Sequence, residues 1–250
     1  MTTLKSIEKE FVALGNQEIA SHSQRFFKTA KGEYGEGDLF LGIRVPIIRK
    51  QVAKHLTIDL SVVVKLLHCP YHEIRLFAVL LLVKKFQQAD KKGALGLKGA
   101  ATAKATQKAI YRLYMDNLAG INNWDIVDAS AMYIVGAYLA ERNKAVLYTL
   151  SVSDSLWERR IAIISTFYFI RQQQFDDALK IAEVLLNDKE DLIHKAVGWM
   201  LREMGNRSLK VEEDFLVKHY HCMPRTMLRY AIEKFPEPRR QAYLKGKVKG

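Results

Sequence analysis

Cysteine is nearly missing from these 250 residues. Cys69 and Cys222 are too few for a disulfide framework and suit a reducing compartment. Proline and glycine are scarce, at 5 and 14, and the Val/Ile/Thr alternation of β-strands is almost absent, so a sandwich or barrel is excluded. No apolar run approaches the roughly 18 residues that cross a bilayer. The longest, Leu76 to Val83, is bracketed by Arg75 and Lys84. The opening MTTLKSIEKEF interleaves charged and apolar residues and has no signal-peptide stretch. Acidic residues are outnumbered 27 to 39, for a formal charge of +12. These absences predict a cytoplasmic protein without a membrane span. The cation excess points to a polyanionic partner, a nucleic acid or an acidic membrane surface.

What is present is helical. Apolar residues recur at three- and four-residue steps in Ile74, Phe77, Ala78 and Leu81, and again in Ile161, Ile164, Phe167 and Tyr168. Start signals precede such segments: Asn122 and Asn123 before Trp124, Ser153 and Asp154 before Leu156, and Asp188 before Asp191. Gly205 and Asn206 stop a helix that ends near Arg202. The pattern predicts ten to twelve helices and essentially no sheet. A basic residue stands just before a small one at the heart of an apolar helix in Arg75/Ala78, Arg160/Ala162, Lys195/Ala196 and Arg229/Ala231. The last three small residues fall about 35 positions apart, the period of stacked helix pairs. With 49% apolar and 26% charged residues, the chain can bury a large core. A single curved domain over 1–250 is the simplest organisation. Residues 90–108 (DKKGALGLKGAATAKATQK) are expected as a Lys/Gly-rich loop with a loosely formed helix, and residues 237–250 as a basic C-terminal tail.

The common catalytic signatures are missing: no Walker loop, no dinucleotide glycine motif, no H-E-x-x-H and no G-x-S-x-G. His68-Cys69 with His72, and His219 to Cys222, lack the paired spacing of a zinc site, so no metal and no cofactor are expected. The tryptophans carry more. Trp124 opens a helix in INNWDIVDAS four residues before Asp128, so indole and carboxylate share a face. Trp199 lies four residues after Lys195 and three before Arg202, and Trp157 three before Arg160. Asp125 falls in a first helical turn, where the helix dipole favours an anion. A carboxylate on a phosphate-binding face repels its ligand unless positive charge develops there. Cleavage between a cationic alkylated base and its sugar produces such charge. A carboxylate stabilises the oxocarbenium-like sugar or holds the attacking water, and indole faces attract cations.

Four segments in order, FLGIRVPIIRK (40–50), NWDIVD (123–128), LWERRIAI (156–163) and HKAVGWMLRE (194–203), resemble the AlkD-type DNA alkylation-repair glycosylases. The resemblance implies an all-α superhelix of HEAT-like repeats, an α-solenoid with a concave basic groove for double-stranded DNA. It implies hydrolysis of the N-glycosidic bond of cationic alkylated purines, 3-methyladenine and 7-methylguanine, without flipping the base into a pocket. By the same resemblance Asp128 is the catalytic carboxylate, Trp124 and Trp199 are aromatic walls beside the lesion, and Arg160 grips the backbone. Lys195, Arg202 and Arg75 are further phosphate candidates, placed by helix geometry. Arg44 stands where the family has a polar DNA-facing residue, and 90–108 is longer than the family's loop. No lysine is placed as a Schiff-base nucleophile, so the expected enzyme is a monofunctional alkylpurine-DNA glycosylase acting as a monomer. The alternatives are a non-catalytic HEAT-like module binding branched or damaged DNA, and a helical scaffold for an acidic protein.

Overall fold

A computed structural model describes residues 3–94 and 100–248. Among the described residues every regular element is a helix, joined by turns and irregular segments, with one isolated bridge between Leu39 and Tyr71. The chain forms two compact units, Met1–Ile134 and Val135–Gly250. The first unit holds α1 (Leu4–Leu14), α2 (Gln17–Phe26), α3 (Val45–Lys54), α4 (Leu60–Leu67), α5 (His72–Ala94), α6 (Ala100–Asp116) and α7 (Trp124–Asp128). The second holds α8 (Ala137–Leu139), α9 (Ala145–Ser151), α10 (Leu156–Ser165), α11 (Phe167–Ile170), α12 (Asp176–Val184), α13 (Asp191–Gly205), α14 (Leu209–His219), α15 (Arg225–Ala231) and α16 (Glu237–Leu244). Among the described residues, no helix is long and apolar enough to cross a membrane.

In the first unit α5 is the central post. Its residues Ile74, Phe77, Ala78, Leu81 and Leu82 are fully buried, and α3, α4, α6 and α7 all pack on it. Phe77 meets Phe11 of α1 with ring centroids 4.9 Å apart. In the second unit α13 has the same role, packed by α10, α14 and α15. Gly198 makes the α13–α15 approach possible. A Cβ there would lie 2.4 Å from the Met227 carbonyl and 2.5 Å from Tyr230 Cβ.

The helical segments outnumber the ten to twelve expected because some apolar runs are broken by polar back-bonding. Ser165 Oγ donates to the Ile161 carbonyl and Thr166 Oγ1 to that of Ile163, each at 2.6 Å, where α10 gives way to α11. Of the segment 90–108, expected as a loop with a loosely formed helix, 90–94 and 100–108 are helix, and 95–99 lie outside the described residues. Lysine, read with glycine as the sign of a solvated loop, is a good helix former, and the alanines of 100–105 are the best. Gln107 also ties α6 to α5 by donating to Asp90 at 3.1 Å. The C-terminal tail is likewise folded over its described residues, 237–248, and 249–250 lie outside them. Its residues 237–244 form α16, Tyr243 is buried, and Tyr220 donates to the Val248 carbonyl at 2.9 Å.

Candidate functional site

In the first unit the site begins with α7, five residues anchored at their N-terminal end. Asn123 caps it, its side-chain oxygen accepting the Trp124 N–H at 2.8 Å. Asn123 is fully buried and donates to Asp38 at 3.2 Å. Asp125 accepts the Ile126 N–H at 2.8 Å, the first-turn role expected of it, and also meets His72 Nε2 at 2.9 Å. The half-buried Trp124 stacks on Phe27 at 5.2 Å and 15°, with the exposed Phe26 against it edge-on at 6.0 Å.

Asp128, one turn beyond Trp124, is half-buried and opens onto a groove of about 560 Å³. The groove has an apolar floor of Val52, Ala53, Leu80 and Val83. Arg49 of α3 and Lys84 of α5, both exposed, stand on its rim with Tyr133. Beneath it Tyr114 is fully buried, its hydroxyl 2.9 Å from Ser130 Oγ. Burial, with the Asp128 charge adding to it, pushes the Tyr114 phenol well above its ordinary range. A second, more open groove of about 920 Å³ runs along α2 and the starts of α3 and α5, and exposed Arg44 lies on it with Arg25 and His22.

The first turn of α5 organises both grooves. Glu73, buried, accepts the backbone N–H groups of Leu41, Gly42 and Ile43 at 3.0, 2.8 and 3.2 Å, which fixes the loop leading to Arg44. Gly42 is required there: its φ is +79°, and a Cβ would fall 2.0 Å from the Asn16 carbonyl. Arg75, expected at a phosphate, is buried instead. It pairs with Asp38 at 2.6 Å and donates to the carbonyls of Cys69 and Pro70. Its position at the head of an apolar run explains the correction. That run sits in the core, so its preceding cation must be neutralised inside the protein.

In the second unit Trp199 is half-buried on α13, edge-on to Phe167 at 5.7 Å. Its indole N–H donates to Glu203 at 3.2 Å, Glu203 pairs with Arg207 at 2.8 Å, and the Arg207 guanidinium lies over Phe167 at 5.6 Å. This ring of contacts fixes the indole plane. Lys195 pairs with Asp191 at 2.7 Å, and Arg202 pairs with Glu233. Arg160, expected to grip a DNA backbone, is instead buried on α10 and donates to the Leu192 carbonyl in the first turn of α13. So Trp124, Asp128 and Arg44 gather in one unit, and Arg160, Lys195, Trp199 and Arg202 in the other.

Sequence reading missed His72, Glu73 and Asp38 as a framework, and Arg49 and Lys84 as neighbours of Asp128. The acid–base cluster His72-Glu73-x-Arg75 at the head of the longest apolar run was the available signal. Nothing in the sequence says that α3 and α5 face α7. Among the described residues no group of three His, Cys, Asp or Glu side chains is arranged to hold a metal ion.

The architecture defines the class, an all-α protein of stacked helix pairs with HEAT-like character. The family of DNA alkylation repair enzymes matches residues 7–235, nearly the whole chain, and this protein belongs to it. A solved structure of a predicted DNA alkylation repair enzyme from Enterococcus faecalis shares the fold at a TM-score of 0.63 and 16% identity. The match covers 89% of this chain and 97% of that one. No curated protein matches the chain.

Proposed function

We propose that this DNA repair protein is a monofunctional glycosylase that hydrolyses the N-glycosidic bond of cationic alkylated purines in duplex DNA. The observation that carries the reading is Asp128, a carboxylate opening onto a groove between Arg49 and Lys84, one helical turn from the indole of Trp124. The cations draw the phosphates of a strand in, and the carboxylate faces the one part of that strand that becomes positive during cleavage. A purine alkylated at N3 or N7 is already a cation and leaves as a neutral base. The enzyme therefore needs no acid for the leaving group; it stabilises the oxocarbenium-like sugar and orients water to its anomeric carbon. Trp124, held flat by Phe27, and Trp199, held by Glu203, offer π faces to that charge. The grooves are open at the surface, which favours action on a lesion that stays stacked.

Arg44, with Lys195 and Arg202 once released from their carboxylate partners, serves as a backbone contact, whereas Arg160, buried and donating to the Leu192 carbonyl, braces α10 against α13. Arg75 is left out because its guanidinium is engaged inside the fold. A single domain over the chain is the reading favoured by a family match that runs through both units. The protein acts as a cytoplasmic monomer.

The test is incubation with methylated duplex DNA and chromatography of the released bases, with Asp128→Asn alongside. Wild type is expected to release 3-methyladenine and 7-methylguanine without strand cleavage. The variant is expected to bind DNA as well and release base at least about 100-fold more slowly. Tight duplex binding without release by wild type would replace this reading with a non-catalytic module for branched or damaged DNA.

A further inference from the structure

His72 sits where the start of α5, the start of α7 and the 38–40 segment converge, and it is 2% exposed. Its Nε2 meets Asp125 at 2.9 Å and its Nδ1 meets Asp38 at 3.4 Å. Phe40 stacks on the imidazole at 4.6 Å and 20°, and Phe27 packs on it at 4.8 Å while also stacking on Trp124. Asp38 receives Asn123, the α7 cap, as well. One imidazole thus contacts the carboxylate of the residue after Trp124, the carboxylate that holds the residue before it, and the ring on which Trp124 lies.

We infer that His72, as an imidazolium, is a positioning residue that holds Trp124 and the start of α7 in their working orientation. Two carboxylates converge on one ring, and only the doubly protonated ring donates to both. A neutral ring can donate to only one of them; Asp38 keeps Arg75 and Asn123 and Asp125 keeps the Ile126 N–H, so what is lost is one charge-assisted bond of the pair that ties α7 to α5.

The charge balance agrees. Burial works against the cation and Arg75 repels it. The Asp125 charge and hydrogen bonds to Asp125 and Asp38 outweigh both and raise the imidazole to about 9. Burial works against the Asp38 carboxylate, but the hydrogen bond to His72, the Arg75 charge and the Asn123 hydrogen bond hold its carboxyl below the ordinary range. The groups facing the ring are Asp38, Arg75 and Asp125. Across the neighbouring groove stand Glu18, His22 and Arg25 of α2, Arg44 before α3, and Glu73 of α5. A raised imidazole contributes its stabilisation fully below about 6.5, its unfolded value, and loses it as pH rises through about 9.

The test uses the full chain carrying 5-fluorotryptophan and ¹³C-histidine. The Trp124 fluorine signal, assigned with Trp124→Phe, is followed from pH 6 to 10.5 beside the His72 ¹³Cε1 shift. Both are expected to move with one midpoint near 9, and the fluorine step is expected to vanish in His72→Gln. A His72 midpoint near 6.5, or a Trp124 signal indifferent to His72, overturns the inference. If His72→Gln does not fold, the wild-type titration decides alone. The effect on catalysis rests on the glycosylase reading. Single-turnover release from methylated duplex, corrected for spontaneous loss, should fall about 10- to 100-fold through that midpoint while duplex affinity holds. Absence of release at every pH would remove the glycosylase reading, whereas coupled signals would still establish His72 as what holds Trp124.

Discussion

Asp128 and Glu212 show how surroundings give one functional group two different tasks. Asp128 opens onto a groove whose rim carries cations. Glu212, on α14, is 2% exposed, with Oε1 unpartnered and the other oxygen packed against Gly205. Burial, and then the charge of Glu213, push it to about 8 against the pull of Arg202. A folded-state value above the unfolded 4.5 means that stability falls as pH rises from 4.5, with the loss complete near 8. Glu212→Gln should therefore be more stable than wild type by about 1–3 kcal/mol at pH 8, and near parity at pH 4.5. Urea unfolding at both values checks this, and an identical difference at the two would contradict the cause. Single residues were legible where local chemistry decides them. Asn123 as a cap and Asp125 in a first turn follow from sequence, whereas Arg75, read as a surface cation, depends on Asp38 being brought to it.

At the scale of elements, α5 does the organising. Its first turn sends Glu73 to the loop before α3 and His72 to α7, so two of the segments that carry the family resemblance hang from one helix start. Three backbone N–H groups converge on the buried Glu73 carboxylate, and no neighbouring side chain can replace it. Glu73→Ala should lower the unfolding free energy by about 3–5 kcal/mol and weaken duplex binding through the Arg44 loop. Denaturant titration and fluorescence anisotropy measure the two effects. A decrease below about 1 kcal/mol would mean that the loop is held by something else. Helix existence was readable from period and caps. The breaks were not, because Ser165 and Thr166 interrupt an apolar run by side-chain bonds that composition does not reveal.

Across the whole molecule the +12 charge sets the partner class. Many cations are engaged internally: Arg159 with Asp188, Lys195 with Asp191, Arg207 with Glu203. The exposed Arg49 and Lys84 beside Asp128 are better placed to meet phosphate. Replacing both by Gln should reduce the log–log salt dependence of duplex binding by about two, about one for each phosphate that is no longer neutralised. It should also weaken binding to all sequences alike. A salt slope unchanged from wild type would place the DNA elsewhere on the protein.

Composition and periodicity by themselves determined the helical class and the anionic partner, and four short segments carried the family. These follow from chain-local physics, since apolar period, caps and net charge need no knowledge of which helix meets which. Only the tertiary structure decided which helices meet, that Arg75 is internal, and that His72 and Glu73 brace α7 and the Arg44 loop. The last two depend on partners 30 to 53 residues away along the chain. Burial and pairing are set by such contacts, and a residue's own neighbours in sequence do not encode them.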